Sequence, residues 1–169
     1  METKKIALIS TGGTIEKTYD RFSGLLENQV SVLDVMLSSL ELRGVDLTRI
    51  ALMNKDSLDM SAEDHHLIAT TAIACATSHD GVVVVHGTDR LADTGDEIVR
   101  CTTAPPVPIV LTGAMQPYAL RTSDAMQNLT EALVAVQWLS PGTYVVMHNR
   151  ALAFPGVKKD RELATFVKA

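Results

Sequence analysis

A chain of 169 residues, 46% hydrophobic and 21% charged, has the make-up of one folded globular domain and excludes a disordered or fibrous chain. Its net charge of −5, with acids and bases interspersed, leaves no basic stripe to neutralise phosphates, so no nucleic-acid partner is expected. No apolar stretch approaches a membrane span or a secretory signal, which sets aside a membrane partner and favours a cytoplasmic setting.

Taken in chain order, the first apolar run, Lys5 to Ser10, reads as a strand that stops at Gly12-Gly13 and is followed by Thr14. Val32 to Arg43 has helical period, with Leu33, Met36, Leu37 and Leu40 on one face. A second strand is predicted over Leu47 to Met53. A helix follows over Ser61 to Ala76, opened by Ser61-x-x-Asp64, close to a capping box. Val82 to His86, nearly all β-branched and without polar alternation, has the pattern of a strand covered on both faces. Asp93 to Thr102 is a shorter helix, Val107 to Thr112 a fourth strand and Ser123 to Leu139 a helix ending before Pro141-Gly142. Thr143 to Met147 is the fifth strand, and Asn149 to Ala169 reads as a loop with a short final element.

Strand and helix in alternation imply an α/β fold, a mostly parallel, doubly wound sheet of flavodoxin-like or Rossmann-like type flanked by helices. Without a linker or repeat, residues 1–169 form a single domain. Such sheets bind ligands beyond the carboxyl ends of their strands, where the strand order reverses. There the sequence offers Gly13 and Thr14, then Asp56 and Ser57, then Gly87, Thr88 and Asp89. The fourth strand leads to "TGAMQP" with Ala114, and the last loop ends in Lys158-Lys159.

Two threonines, an aspartate and a lysine on one rim suggest hydrolytic acyl transfer. A hydroxyl needs a base within hydrogen-bond reach to become a nucleophile, and a desolvated lysine can be that base. Glycines beside the threonines let backbone N–H groups approach a reacting carbonyl.

"TGGTIE" (Thr11 to Glu16) and "HGTDRLADTG" (His86 to Gly95) resemble the two signature segments of bacterial-type L-asparaginases. "DSLDMS", "LTGAMQP", "SDAMQNL" and the Val157-x-Lys159 pair agree in order and spacing. The resemblance implies a cofactor-free amidohydrolase that converts L-asparagine to L-aspartate and ammonia through a threonyl acyl-enzyme, with lesser activity on L-glutamine. It assigns Thr14 as nucleophile, Tyr19 as its activating hydroxyl, and Thr88, Asp89 and Lys159 as a second triad, with Lys158 as the alternative lysine. Ser57, Asp56, Gly13, Gly87 and Ala114 fall in substrate-holding positions. It also implies a homo-oligomer, dimer or tetramer, and a short form without the family's C-terminal domain. Two other readings stand beside it: an asparagine- or aspartate-binding sensor without turnover, and a related amidase or glutaminase.

The chain departs from the family pattern at Glu16, Arg90 and Gln116. Glu16 is an added acid beside the nucleophile, read either as repelling an acidic substrate or as replacing a contact of the missing domain. His65, His66 and His79 read as surface residues, and His86 as a satisfied, partly buried histidine. Asn128 is either an exposed amide or a support for the site. Cys75 and Cys101, without His or Cys at ligand spacing, read as small core residues, and no metal site is expected.

Overall fold

The computed structural model describes residues 3–28 and 31–169. β1 (Lys4–Gly12) is followed by the hairpin β2 (Thr18–Asp20) and β3 (Leu25–Glu27), helix α1 (Leu33–Ser38) and β4 (Val45–Lys55). Then come α2 (Ala62–Ala76), β5 (Gly81–Val85), α3 (Leu91–Cys101), β6 (Pro108–Thr112), α4 (Ala125–Ala135) and β7 (Gly142–Met147). The chain closes with β8 (Arg150–Ala153) and the hairpin β9 (Val157–Asp160) and β10 (Thr165–Lys168).

The main sheet has the order β4-β1-β5-β6-β7-β8. Its first five strands are parallel, and β8 is an antiparallel edge strand. Numbered as they occur, the parallel strands run 2-1-3-4-5, the flavodoxin-like order, whose reversal lies between β1 and β5. Side chains alternate across the central strands. Ile6, Leu8, Val83 and Val85 pack with α1 and α4 through Leu33, Met36 and Leu129. Ala7, Ile9, Val82 and Val84 face α2 and α3 through Ile68, Leu91 and Ile98. Both faces of β5 are thus filled, which is why its sequence lacks polar alternation.

The helix predicted over 32–43 ends at Ser38. The hydroxyls of Ser38 and Ser39 bond back to the carbonyls of Val35 and Met36 at 2.8 and 2.7 Å, an alternative to continuing the helix. The capping box of α2 forms as its spacing indicates: Ser61 Oγ accepts from the Asp64 N–H and the Asp64 carboxylate from the Ser61 N–H. The tail after Asn149 holds three strands rather than a loop with one element. Gly95, inside α3, leaves room for the ring of Phe154, which would stand 2.2 Å from a Cβ there. That contact seats the segment leading to β9 on α3.

Candidate active site

The loops at the carboxyl ends of β1, β4, β5 and β6 pack backbone against backbone, and glycines make this possible. Gly13, at φ +83°, would bring a Cβ within 2.4 Å of the Gly87 backbone. A Cβ on Gly87 would meet Ser57 Oγ at 2.6 Å, and one on Gly113 would meet the His86 carbonyl at 2.3 Å. Thr14 follows Gly13 and Thr88 follows Gly87, so the two hydroxyl-bearing corners are neighbours at the strand-order reversal. Thr14 opens a single 3-10 turn, is half-buried, and its hydroxyl has no hydrogen bond among the described residues.

Lys159 Nζ donates to Thr88 Oγ1 at 2.8 Å and to Asp89 Oδ1 at 3.0 Å. Alternation along β9 sets the two lysines on opposite sides of the strand. Lys159 shares a side with buried Val157 and turns inward, whereas Lys158 is exposed. Arg161 adds a second cation on Asp89 Oδ1 at 3.2 Å, so Asp89 Oδ2 is left without a partner among the described residues. The sequence reading missed Arg161, whose signal was the charge run Lys158 to Arg161. Asp89 does not cap α3, which starts from Arg90 without a side-chain cap bond.

Ser57 is buried at 1% exposure, and its Oγ accepts from the Arg90 N–H at 3.3 Å. The Arg90 guanidinium is bound to the Met60 carbonyl at 2.6 Å and to Asp93 at 2.8 Å. Asp56 pairs with Lys17 at 2.6 Å and accepts from the Leu58 N–H at 3.0 Å. Burial pushes its carboxyl up, but the Lys17 ammonium and the Leu58 N–H outweigh it and the net displacement is downward. Asp56 therefore joins the β1 and β4 loops. Tyr19 stands 64% exposed on β2, and no hydrogen bond ties its hydroxyl to Thr14 or Thr88.

Glu16 corrects both readings of its role. It is 1% exposed, accepts from the Gly12 N–H at 3.1 Å and from the Ser31 hydroxyl. Burial drives its carboxyl above the usual range against those two bonds. It faces the protein and braces the glycine corner from beneath.

A second support lies behind Gly87. His65 is buried, not on the surface, and joins a chain of hydrogen bonds whose direction follows from its end. The Gly87 carbonyl can only accept, so His86 Nδ1 donates to it at 2.8 Å. Burial holds His86 neutral, its pKa lowered to about 4, so Nε2 accepts from Thr94 Oγ1 at 2.7 Å. Thr94 Oγ1 then accepts from His65 Nδ1 at 2.6 Å, and His65 Nε2 is a buried lone pair without a partner among the described residues.

Asp124 does the same for the β6 loop. It accepts from the N–H groups of Met115 and Gln116, at 3.0 Å for the latter, from Asn128 Nδ2 at 2.8 Å and from His148 Nε2 at 2.7 Å. Burial opposes its charge, yet these donors, led by the Met115 N–H, hold the carboxyl below its ordinary value. Asn128, fully buried, also donates to the Gly113 carbonyl at 2.9 Å. It is a support for the loop that runs from Gly113 through buried Ala114. The cysteines depart from expectation: Cys75 is half-buried and Cys101 exposed.

The chain matches the family model described as Asparaginase, N-terminal, over residues 5–166. It is similar to the L-asparaginase of Thermococcus kodakarensis, 32% identical over 164 residues that cover 94% of this chain and 48% of that one. It is also similar to a glutamyl-tRNA(Gln) amidotransferase subunit of Methanosarcina barkeri, 32% identical over 148 residues, 86% of this chain and 34% of that one. The solved structure of the thermostable L-asparaginase from T. kodakarensis matches with a TM-score of 0.87 at 30% identity, over 97% of this chain and 51% of that one. The chain thus spans about half the length of these asparaginases and about a third of the amidotransferase subunit.

Proposed function

We propose, for a chain that belongs to the asparaginase family, that it is an amidohydrolase acting on L-asparagine through an ester on Thr14. The observation that carries the reading is the Lys159–Thr88–Asp89 cluster, set against the Thr14 corner by the Gly13–Gly87 contact.

In the proposed reaction Thr14 Oγ1 attacks the side-chain amide carbon. The hydroxyl proton passes to the departing nitrogen, the C–N bond breaks, and ammonia leaves. Water then attacks the ester, its oxygen bonding to the acyl carbon, and the Thr14 hydroxyl is restored with release of aspartate. Lys159, held against Thr88 and Asp89, is the proposed base that orients Thr88 and the attacking water. Asp89 Oδ2 is the proposed acceptor for the substrate's α-ammonium. Tyr19 is the proposed activating hydroxyl, brought to Thr14 by closure of the β2–β3 hairpin. Ser57, Gly13, Gly87 and Ala114 would form the floor, while Asp56 would act through its bond to Lys17. The assembly that goes with this reading is a homo-oligomer, which light scattering tests.

The similarity to a glutamyl-tRNA(Gln) amidotransferase subunit favours one further reading, a glutaminase activity that supplies ammonia to a partner. Ammonia release measured across L-asparagine, L-glutamine and small amides separates the two. Release from asparagine in preference to glutamine supports the main reading, the reverse order supports the second, and release from neither overturns both.

A further inference from the structure

Away from the strand-end loops, α2 and α3 bring together three side chains that neither the core nor the proposed reaction uses. Glu97 and Cys101, four residues apart, share one face of α3, and His66 meets them from α2. His66 Nδ1 lies 2.7 Å from Glu97 Oε1, and Cys101 Sγ lies 3.6 Å from that oxygen and 3.9 Å from the imidazole nitrogen. The three ligand atoms all fall within 4.8 Å of one another. We propose that they form a binding site for a borderline-soft divalent transition-metal cation of the Zn2+ class, with thiolate, imidazole and carboxylate as ligands and a fourth position for water.

The geometry is close to what such an ion needs. Metal–ligand bonds of about 2.0–2.3 Å at tetrahedral angles set ligand atoms roughly 3.3–3.6 Å apart. The two sulfur separations are already near that spacing, and only the His66–Glu97 hydrogen bond has to open, by about 0.6 Å. His66 and Cys101 are exposed, so an ion can enter directly. His66 also lines a surface cleft with Glu63, Thr70 and Arg100, where a bound water has room.

The charges sort themselves accordingly. Arg100 and then His66, by hydrogen bonding, hold the Glu97 carboxyl down at about 2, so that ligand is ionised at any working pH. Burial first, and the Glu97 charge second, push the Cys101 thiol up from its ordinary value. Binding breaks the S–H bond and forms the metal–sulfur bond. The proton on His66 Nδ1, now donated to Glu97, moves through solvent to Nε2. The thiol proton leaves to solvent.

Arg100 is the competing cation. Its Nη2 donates to Glu97 Oε1 at 2.6 Å and its Nε to Oε2 at 2.7 Å. The incoming ion takes Oε1, while the Nε–Oε2 bond can stay and fix the carboxylate plane, as outer-shell partners of metal ligands do. The residual repulsion makes the site weaker than a closed four-ligand centre. Because the ligands come from two helices, a bound ion ties α2 to α3.

The test is an anaerobic titration of the reduced full chain with Co2+ alone, followed by displacement with Zn2+. The expected result is a thiolate-to-cobalt charge-transfer band with tetrahedral d–d bands, saturating at one ion per chain and lost on adding Zn2+. Cys101→Ser abolishes the charge-transfer band, and His66→Ala weakens binding at least tenfold. Cys75→Ser changes neither. Zn2+ raises the melting midpoint of the native chain and of Cys75→Ser, and not of Cys101→Ser. Absence of the band in the native chain, its persistence in Cys101→Ser, its loss in Cys75→Ser or unchanged affinity in His66→Ala would each overturn the proposal. None of these readouts depends on amidase activity.

Discussion

The Lys159 ammonium donates to the Thr88 hydroxyl across 2.8 Å, although 71 residues separate them in the chain. The fold closes that distance because β9 returns over α3, seated by Phe154 against Gly95, and presents alternate residues of the strand to opposite sides. On the proposed mechanism Lys159→Met lowers kcat by roughly a thousandfold, the scale of losing a general base. Lys158→Met changes it less than twofold. Steady-state ammonia release on the two variants checks this, and equal effects would refute the assignment by strand alternation.

Thr94 is the one hydroxyl that links His65 to His86. Thr94→Val keeps its shape, strands a donor on one side and an acceptor on the other, and costs about 1–3 kcal/mol for the groups left unsatisfied. Release of the Gly87 carbonyl from a fixed His86 lowers kcat several-fold more than it changes KM. Thr94→Ser restores both, whereas a variant with only lowered melting and native kcat would leave the chain without a part in positioning Thr88.

His86 gives the pH dependence a sign. Its folded pKa of about 4 lies below the ordinary 6.5, so between those values the unfolded chain holds a proton that the folded one does not. Stability from this group is full above pH 6.5 and falls as pH drops toward 4, by on the order of 3 kcal/mol across the window. His65, lowered by burial and then by Arg90, adds in the same direction. Urea midpoints at pH 7.5 and 5.0 should differ accordingly, and His86→Asn, which keeps a donor near Gly87, should shrink the difference.

Glu16 is bound to the Gly12 N–H and the Ser31 hydroxyl away from solvent. Glu16→Gln preserves the acceptor for Gly12 and removes a charge that burial already disfavours. Its urea midpoint should equal or exceed the native one, with KM for asparagine within about twofold. A large change in KM with an intact midpoint would return Glu16 to the substrate side.

Gly13→Ala forces a left-handed residue and a Cβ into the Gly87 backbone at 2.4 Å. The neighbour is main chain and cannot swing aside, so the cost should exceed the 1–2 kcal/mol of an unfavourable left-handed φ alone. Chemical denaturation measures it, and a near-neutral result would mean that the two corners are not in contact.

Most of the framework could be read from residue pattern. The unbroken β-branched run of Val82 to Val85 announced a doubly covered strand, and the Gly-Thr corners announced the loops that meet where the strand order reverses. What could not be read depended on partners distant in the chain. His65 looked like a surface residue because helical period cannot show that Thr94 and His86 wait for it on another element. Glu16 looked like a substrate-facing acid because the Ser31 hydroxyl that receives it lies beyond a hairpin the sequence did not reveal. Asp124 stands at the start of α4, where an aspartate would ordinarily cap the helix, yet its carboxylate is turned to the β6 loop and leaves α4 uncapped. Likewise Cys101 read as a core residue because His66, which meets it, comes from another helix.

The central claim is that Thr14 is the nucleophile of an amidohydrolase. The most direct measurement is ammonia release from L-asparagine by the native chain and by Thr14→Ala, with thermal melting of both. The account predicts turnover by the native chain, a loss of at least about a thousandfold in kcat for Thr14→Ala, and melting midpoints that agree. Asparagine hydrolysis by Thr14→Ala at a rate near the native one, or no hydrolysis by the folded native chain, would contradict it.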